Sequence, residues 1–203
     1  MAIERQFGIP PQWGYPARFL LTSLVYPHFS RKTISFRFAS PLGSIGLGIL
    51  VFLVWVAPDL LFGTAYRHHW VFENSLLGAA ASSAPATLKS NPFFVTVRFL
   101  GAAALVPVIE ELFWRGWLMR WIARREFWKV PIGSYSPAAF WTVALLFGSE
   151  HGPYWEVGLL AGVAYNWWVI RTRSLADCVL AHAVTNAILC AYVVLTGNWQ
   201  YWL

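Results

Sequence analysis

From about residue 40 onward the chain alternates long apolar runs with short polar breaks. A helix needs about 20 largely apolar residues to cross a bilayer. Leu42 to Phe62 meets that requirement, and Tyr66 to Asn91 after it is a polar, Ala/Ser-rich connection. A long helix is expected from about Pro92 to Arg125, bent near Pro107, because proline lacks an N–H and crowds the preceding turn. Pro137 to His151, Trp155 to Ile170 and Leu175 to Thr196 follow, giving five spans. Ala17 to Tyr26 is shorter and closed by Pro27, so it is either a further span or an interfacial segment. The pattern predicts an all-α, polytopic transmembrane helix bundle, one integral membrane domain over residues 1–203. Gly158 and Gly162 form a small-xxx-small pair of the kind that lets helices approach closely in lipid.

Composition supports that class. Only 12% of residues are charged and 58% are apolar, against about 25% charged in a soluble domain. The 13 Trp and 15 Phe suit anchoring at membrane interfaces, a role expected of Trp199 and Trp202. The net charge of +6 sits in short loops without a dense basic face, which excludes nucleic acid as a partner and leaves the bilayer. Arg31, Lys32 and Arg37, then Arg120 to Lys129, then Arg171 and Arg173, fall on alternate breaks, as one cytoplasmic face requires. The opposite loops hold only Arg67 and Lys89, with His68 and His69 expected in solvent, and the C-terminus then lies outside. If Ala17 to Tyr26 also spans, the N-terminus starts outside, which implies either an interfacial segment or an upstream helix. The first fifteen residues contain no signal-peptide core. Cys178 and Cys190 lie on one expected helix about 18 Å apart and cannot bridge each other.

Three of the expected helices carry polar groups at helical spacing. Glu110 and Glu111 are adjacent within V-P-V-I-E-E-L-F-W-R-G. Ionisable groups at membrane depth are costly and mark functional sites by default. Glu111 and Arg115 are four apart and share a face, so Arg115 is expected to neutralise Glu111. That leaves Glu110, about 100° round the helix, facing another cavity. Phe147 and His151 are four apart on the next helix, and His182 and Asn186 are four apart on the last. At 1.5 Å per residue, Glu110 lies about 15 Å from Arg120, His151 about 21 Å from Pro137, and His182 and Asn186 about 10 to 17 Å from Leu175. One buried site can collect them all. Structural readings compete: interhelical hydrogen bonding for the histidines and Asn186, and an ion pair for Glu111 with Arg115. They leave Glu110 without a role. Glu156 and Asp177 sit at helix starts, where acids favour the dipole. Asn166 is a candidate to line the cavity.

Glu110-Glu111-x-x-x-Arg115, then Phe147-x-x-x-His151, then His182-x-x-x-Asn186, in this order on successive helices, resembles the CAAX prenyl protease and bacteriocin-processing family of intramembrane proteases. The likeness covers roughly Phe93 to Thr196, which it marks as a catalytic helical core. V-P-V-I-E-E-L-F-W-R-G, L-A-H-A-V-T-N-A and the short tail from Gly197 to Leu203 are also similar to the branch that accompanies exosortase and PEP-CTERM protein-sorting systems. The resemblance implies an intramembrane endopeptidase of a bacterial cytoplasmic membrane, acting on a membrane-associated protein or peptide, with possible protein-sorting partners. It also implies that Glu110 activates water, His151 holds it, His182 and Asn186 donate hydrogen bonds to the developing oxyanion, and Glu111 with Arg115 orients Glu110.

Rival chemistries remain open at this point. Zinc held by His151, His182 and Glu110 would leave a fourth position for water, as catalytic zinc does, although the zincin signature His-Glu-x-x-His is absent. A Cys178 nucleophile beside His182 and Asn186 would leave both glutamates idle. A proton-coupled carrier is expected to show repeat-related broken helices, and no second half is visible. A membrane immunity or binding protein could keep the residues without cleaving.

Overall fold

The computed structural model describes residues 10–30 and 37–202. Arg31 and Lys32 of the basic cluster lie outside the described residues. The described residues are helical, with no strand among them: α1 (Pro11–Ser30), α2 (Pro41–Phe62), α3 (Pro92–Ala123), α4 (Pro137–Ser149), α5 (Trp155–Thr172) and α6 (Leu175–Thr196), joined by short 3-10 and single-turn segments. The protein is a helical membrane bundle. Three helices, α2, α3 and α6, are each long and apolar enough to cross a bilayer. The other two expected spans are shorter: α4 has 13 residues and α5 has 18, about 20 and 27 Å against a core of about 30 Å.

Helix starts follow one local rule. Asn91, Ser136 and Ser174 each accept at the N-cap from the backbone N–H three residues on, at 3.1, 3.5 and 3.2 Å, and Pro92 and Pro137 occupy the first helical position, where a missing N–H costs nothing. The α2 start differs. Ser40 makes no side-chain cap of its own helix. Instead Asp177, from the first turn of α6, accepts from the N–H groups of Ala39 and Ser40 at 2.6 and 2.8 Å, and Ser44 Oγ lies 2.9 Å from it. The acid expected to serve its own helix dipole therefore also caps a neighbour and ties the α2 and α6 starts together.

α6 packs along α2, and α4 along α5. A Cβ on Gly48 would meet the Ala181 carbonyl at 2.5 Å and Val184 Cβ at 2.7 Å, so the α2–α6 approach requires glycine. A Cβ on Gly162 would meet the Ala144 carbonyl of α4 at 3.1 Å, tighter than ordinary contact. The core lies between these pairs, with Phe147, Tyr165, Ala161 and Ala181 buried in it.

α1 departs from expectation. It continues through Pro27 to Ser30, and packs on α3 with Tyr15 donating to the Arg98 carbonyl at 3.3 Å. Arg67, read from the sequence as part of a polar outside connection, is 2% exposed. It donates to Asp59 at 2.7 Å, to the Pro153 carbonyl at 2.9 Å and to Glu156, with its guanidinium 4.2 Å from the Tyr154 ring centre. The connection is thereby clamped onto the turn that follows His151. His68 is exposed beside Glu73, as expected of a solvated residue. Trp202 is buried, with Arg98 over its ring at 5.0 Å.

The bend expected near Pro107 takes a specific form. α3 widens into a π turn at Gly101–Leu105, returns to α geometry at Val106–Glu111, and widens again at Leu112–Leu118. Such turns often mark functional sites. Here they bracket the two glutamates.

Candidate active site

Glu110 and Glu111 are adjacent on α3, and the 100° between them sends them into different surroundings. Glu111 is wholly buried. Its Oε1 accepts from Arg115 Nη1 at 3.0 Å, one helical turn on, and from His182 Nδ1 at 2.9 Å. Its Oε2 accepts from the Cys178 thiol at 3.1 Å. A carboxylate taken out of water needs a cation and further donors to be tolerated, and these three groups supply them.

Arg115 is held in turn. Nε donates to Asn166 Oδ1 at 2.9 Å, Nη2 donates to the Gly162 carbonyl at 3.2 Å, and the guanidinium lies 4.5 Å from the Phe147 ring centre. Asn166 is anchored by donating to the Phe140 carbonyl at 2.8 Å. Asn166 is thus fully buried behind Arg115 and does not line the cavity, as the sequence had suggested it could.

Glu110 faces a cavity of about 390 Å³. His151, His182 and Asn186 share its wall with Phe147, Trp55, Tyr154 and Tyr165, while Glu111 and Arg115 do not reach it. Glu110 Oε2 is buried without a hydrogen-bond partner among the described residues. His182 Nε2 lies 3.9 Å from it. That gap is too long for a direct hydrogen bond but suits a water about 2.8 Å from each group.

The ring orientations follow from their partners. A carboxylate oxygen accepts, so His182 Nδ1 carries the proton given to Glu111, and Nε2 points toward Glu110. Tyr165 stacks on the His182 ring, centroids 5.0 Å apart, and donates to Thr185 Oγ1 at 2.8 Å. His151 donates from Nδ1 to the Phe147 carbonyl at 2.6 Å, which leaves Nε2 as an acceptor. Trp55 packs edge-on against His151, centroids 5.1 Å apart. Asn186 donates to the Ala102 carbonyl at 2.9 Å, inside the first π turn.

Four supporting residues carried no assigned role in the sequence reading: Tyr165, Thr185, Trp55 and Tyr154. Thr185 sits three residues after His182 on one helix face, a usable signal. Tyr165 and Trp55 are aromatic residues in aromatic-rich spans and gave none. Cys178 is fully buried against Glu111 and outside the cavity wall, which fits a supporting donor rather than a nucleophile. No three His, Cys, Asp or Glu side chains among the described residues group as a metal site.

Residues 92–188 match the family described as type II CAAX prenyl endopeptidase Rce1-like. That segment contains all seven residues of the three motifs. No curated protein and no solved structure matches the chain.

Proposed function

We propose that this membrane protein, whose residues 92–188 match the Rce1-like family of type II CAAX prenyl endopeptidases, hydrolyses a peptide bond by glutamate-activated water. The observation that carries the reading is the unequal pair. Glu111 has three donors, whereas Glu110 has an unpartnered oxygen in a cavity opposite His182.

In the proposed mechanism a water between Glu110 and His182 attacks the scissile carbonyl carbon. Glu110 takes one of its protons. His182, held through Nδ1 by Glu111, also carries a proton on Nε2 in this step, donates it as a hydrogen bond to the developing oxyanion and retains it throughout. The C–N bond then breaks as Glu110 returns its proton to the leaving nitrogen. The products are a carboxylic acid and an amine, which become carboxylate and ammonium when the proton passes between them, so atoms and charge balance. His151 Nε2 serves as an acceptor that orients the water. The apolar cavity wall suits a membrane-proximal segment of an anchored protein. On this reading the protein works in the cytoplasmic membrane of a bacterium on a membrane-associated protein or peptide, and its motif likeness to a protein-sorting branch makes sorting-system proteins the candidate partners.

The test compares membrane-protein termini by mass spectrometry in cells producing wild type or Glu110→Ala at equal levels. At least one terminus should depend on Glu110. Identical termini would sink the protease reading and favour a non-proteolytic binding or immunity role. Chelation separates the zinc rival: activity lost to chelator and restored only by zinc would replace Glu110-activated water with metal-bound water.

A further inference from the structure

Backbone accounting in α3 gives Asn186 a role different from the one its motif implies. In the π turn the Val106 N–H donates to the Gly101 carbonyl, five residues back. In that register the Ala102 carbonyl should receive the N–H of residue 107. Residue 107 is proline and has none. The Val106 N–H, which would serve Ala102 in an ordinary α-helix, is already committed to Gly101. Ala102 is therefore left without its i+4 or i+5 intrahelical donor, one turn before the α segment Val106–Glu111 that carries Glu110. At membrane depth such a carbonyl must find another partner. It finds Asn186 Nδ2, 2.9 Å away on α6.

We propose that Asn186 is a positioning residue, a side-chain substitute for the N–H that Pro107 lacks, which latches α6 to the break in α3 and so sets where Glu110 stands in the cavity. The inference rests on the protease reading for its kinetic arm only. His182 and Asn186 share one face of α6, so the latch fixes the Glu110–His182 spacing from the same helix that carries His182. Ala102 and Val106 both line the cavity with Glu110 and Asn186, which places the latch in the wall of the site. Asn186 then acts through Glu110 rather than on the oxyanion.

The two roles separate in a double-variant cycle. Pro107→Ala restores a backbone N–H at position 107 for the Ala102 carbonyl. If Asn186 is a latch, Asn186→Ala lowers kcat at least 10-fold for the Glu110-dependent terminus, with KM changed less than about 3-fold. The Asn186→Ala/Pro107→Ala double variant should then recover at least 5-fold of the lost kcat. If Asn186 is an oxyanion donor, the double variant stays as impaired as Asn186→Ala, and the proposal falls. A second arm needs no substrate: hydrogen exchange of the full chain in nanodiscs. Asn186→Ala should accelerate exchange of amides at 101–106, and adding Pro107→Ala should slow it again. Unchanged exchange in Asn186→Ala would also overturn the latch. If no terminus depends on Glu110, the protease reading fails while the exchange arm still judges the latch.

Discussion

Removing Arg115 tests the buried network most directly. Arg115→Met keeps side-chain length and an apolar body but leaves Glu111 wholly buried without its cation. The remaining donors to Glu111 are His182 Nδ1 and the Cys178 thiol. Breaking a buried pair by removing one partner costs about 3–5 kcal/mol, because the other charge is stranded. For a chain of this size each kcal/mol moves a melting midpoint by about 2–4 °C, so Arg115→Met should melt about 6–20 °C below wild type in detergent. Glu111→Met/Arg115→Met removes both charges and should recover at least half of that loss, since apolar replacement of a buried pair is often neutral or stabilising. The same double variant should remain inactive. Without Glu111 nothing holds the His182 ring with Nε2 toward the cavity, and losing one oxyanion donor costs about 10² to 10³ in rate. Thermal melts and the Glu110-dependent terminus read the two effects separately. Arg115→Met melting within 3 °C of wild type would refute the stranded-charge argument. An active double variant would refute the orienting role of Glu111.

Three further outcomes follow from the same geometry. Glu110→Gln should lower kcat by about 10² to 10⁴, the usual worth of a general base, while leaving the melting midpoint within 3 °C of wild type, because the lost oxygen had no partner; a large stability loss would show that Glu110 is structural. Gly48→Ala should destabilise by about 1–3 kcal/mol through overpacking against the Ala181 carbonyl, whereas Gly46→Ala, with nothing within 4 Å of its Cβ position, should not; equal melts would contradict the α2–α6 approach. Asp177→Leu should strip the α2 start of its acceptor and speed hydrogen exchange at Ala39 and Ser40; unchanged exchange would remove the cross-helix cap.

The sequence made the apolar spans legible because a bilayer imposes length and composition on them. It also made the helix phases legible. Glu111 and Arg115 meet at four-residue spacing, and Glu110 diverges from them by the rotation of one residue. Residues whose role depends on a neighbouring helix were not legible in that way. Asn166 stood out as polar within α5, but only the packing of α3 against α5 turns it toward Arg115 instead of the cavity. Arg67 sits in a segment of loop composition, and its burial comes from Asp59 and Glu156 on two other elements. Asp177 matched a rule about its own helix and serves α2 as well. Pro27 read as a terminator, yet α1 runs on through it, since proline disfavours a helix interior without forbidding it.

The division between the two glutamates depends on how many donors each can recruit. A carboxylate offers about four acceptor sites. Glu111 meets Arg115, His182 and Cys178 from its own helix and from α6, and further substitution there removes partners that were already matched. Glu110 sits one residue earlier, where the same rotation that gives Glu111 its partners turns it to the cavity. An unpartnered oxygen in a membrane protein is costly to keep. The cost is tolerable only if water or substrate regularly supplies the missing donor. On this argument, filling the cavity beside Glu110 with bulk, as in Ala102→Phe, should expel that water and suppress turnover while the Glu111–Arg115–Asn166 network keeps the fold stable. A variant that melts like wild type but retains full activity would show that the partner of Glu110 does not come from the cavity.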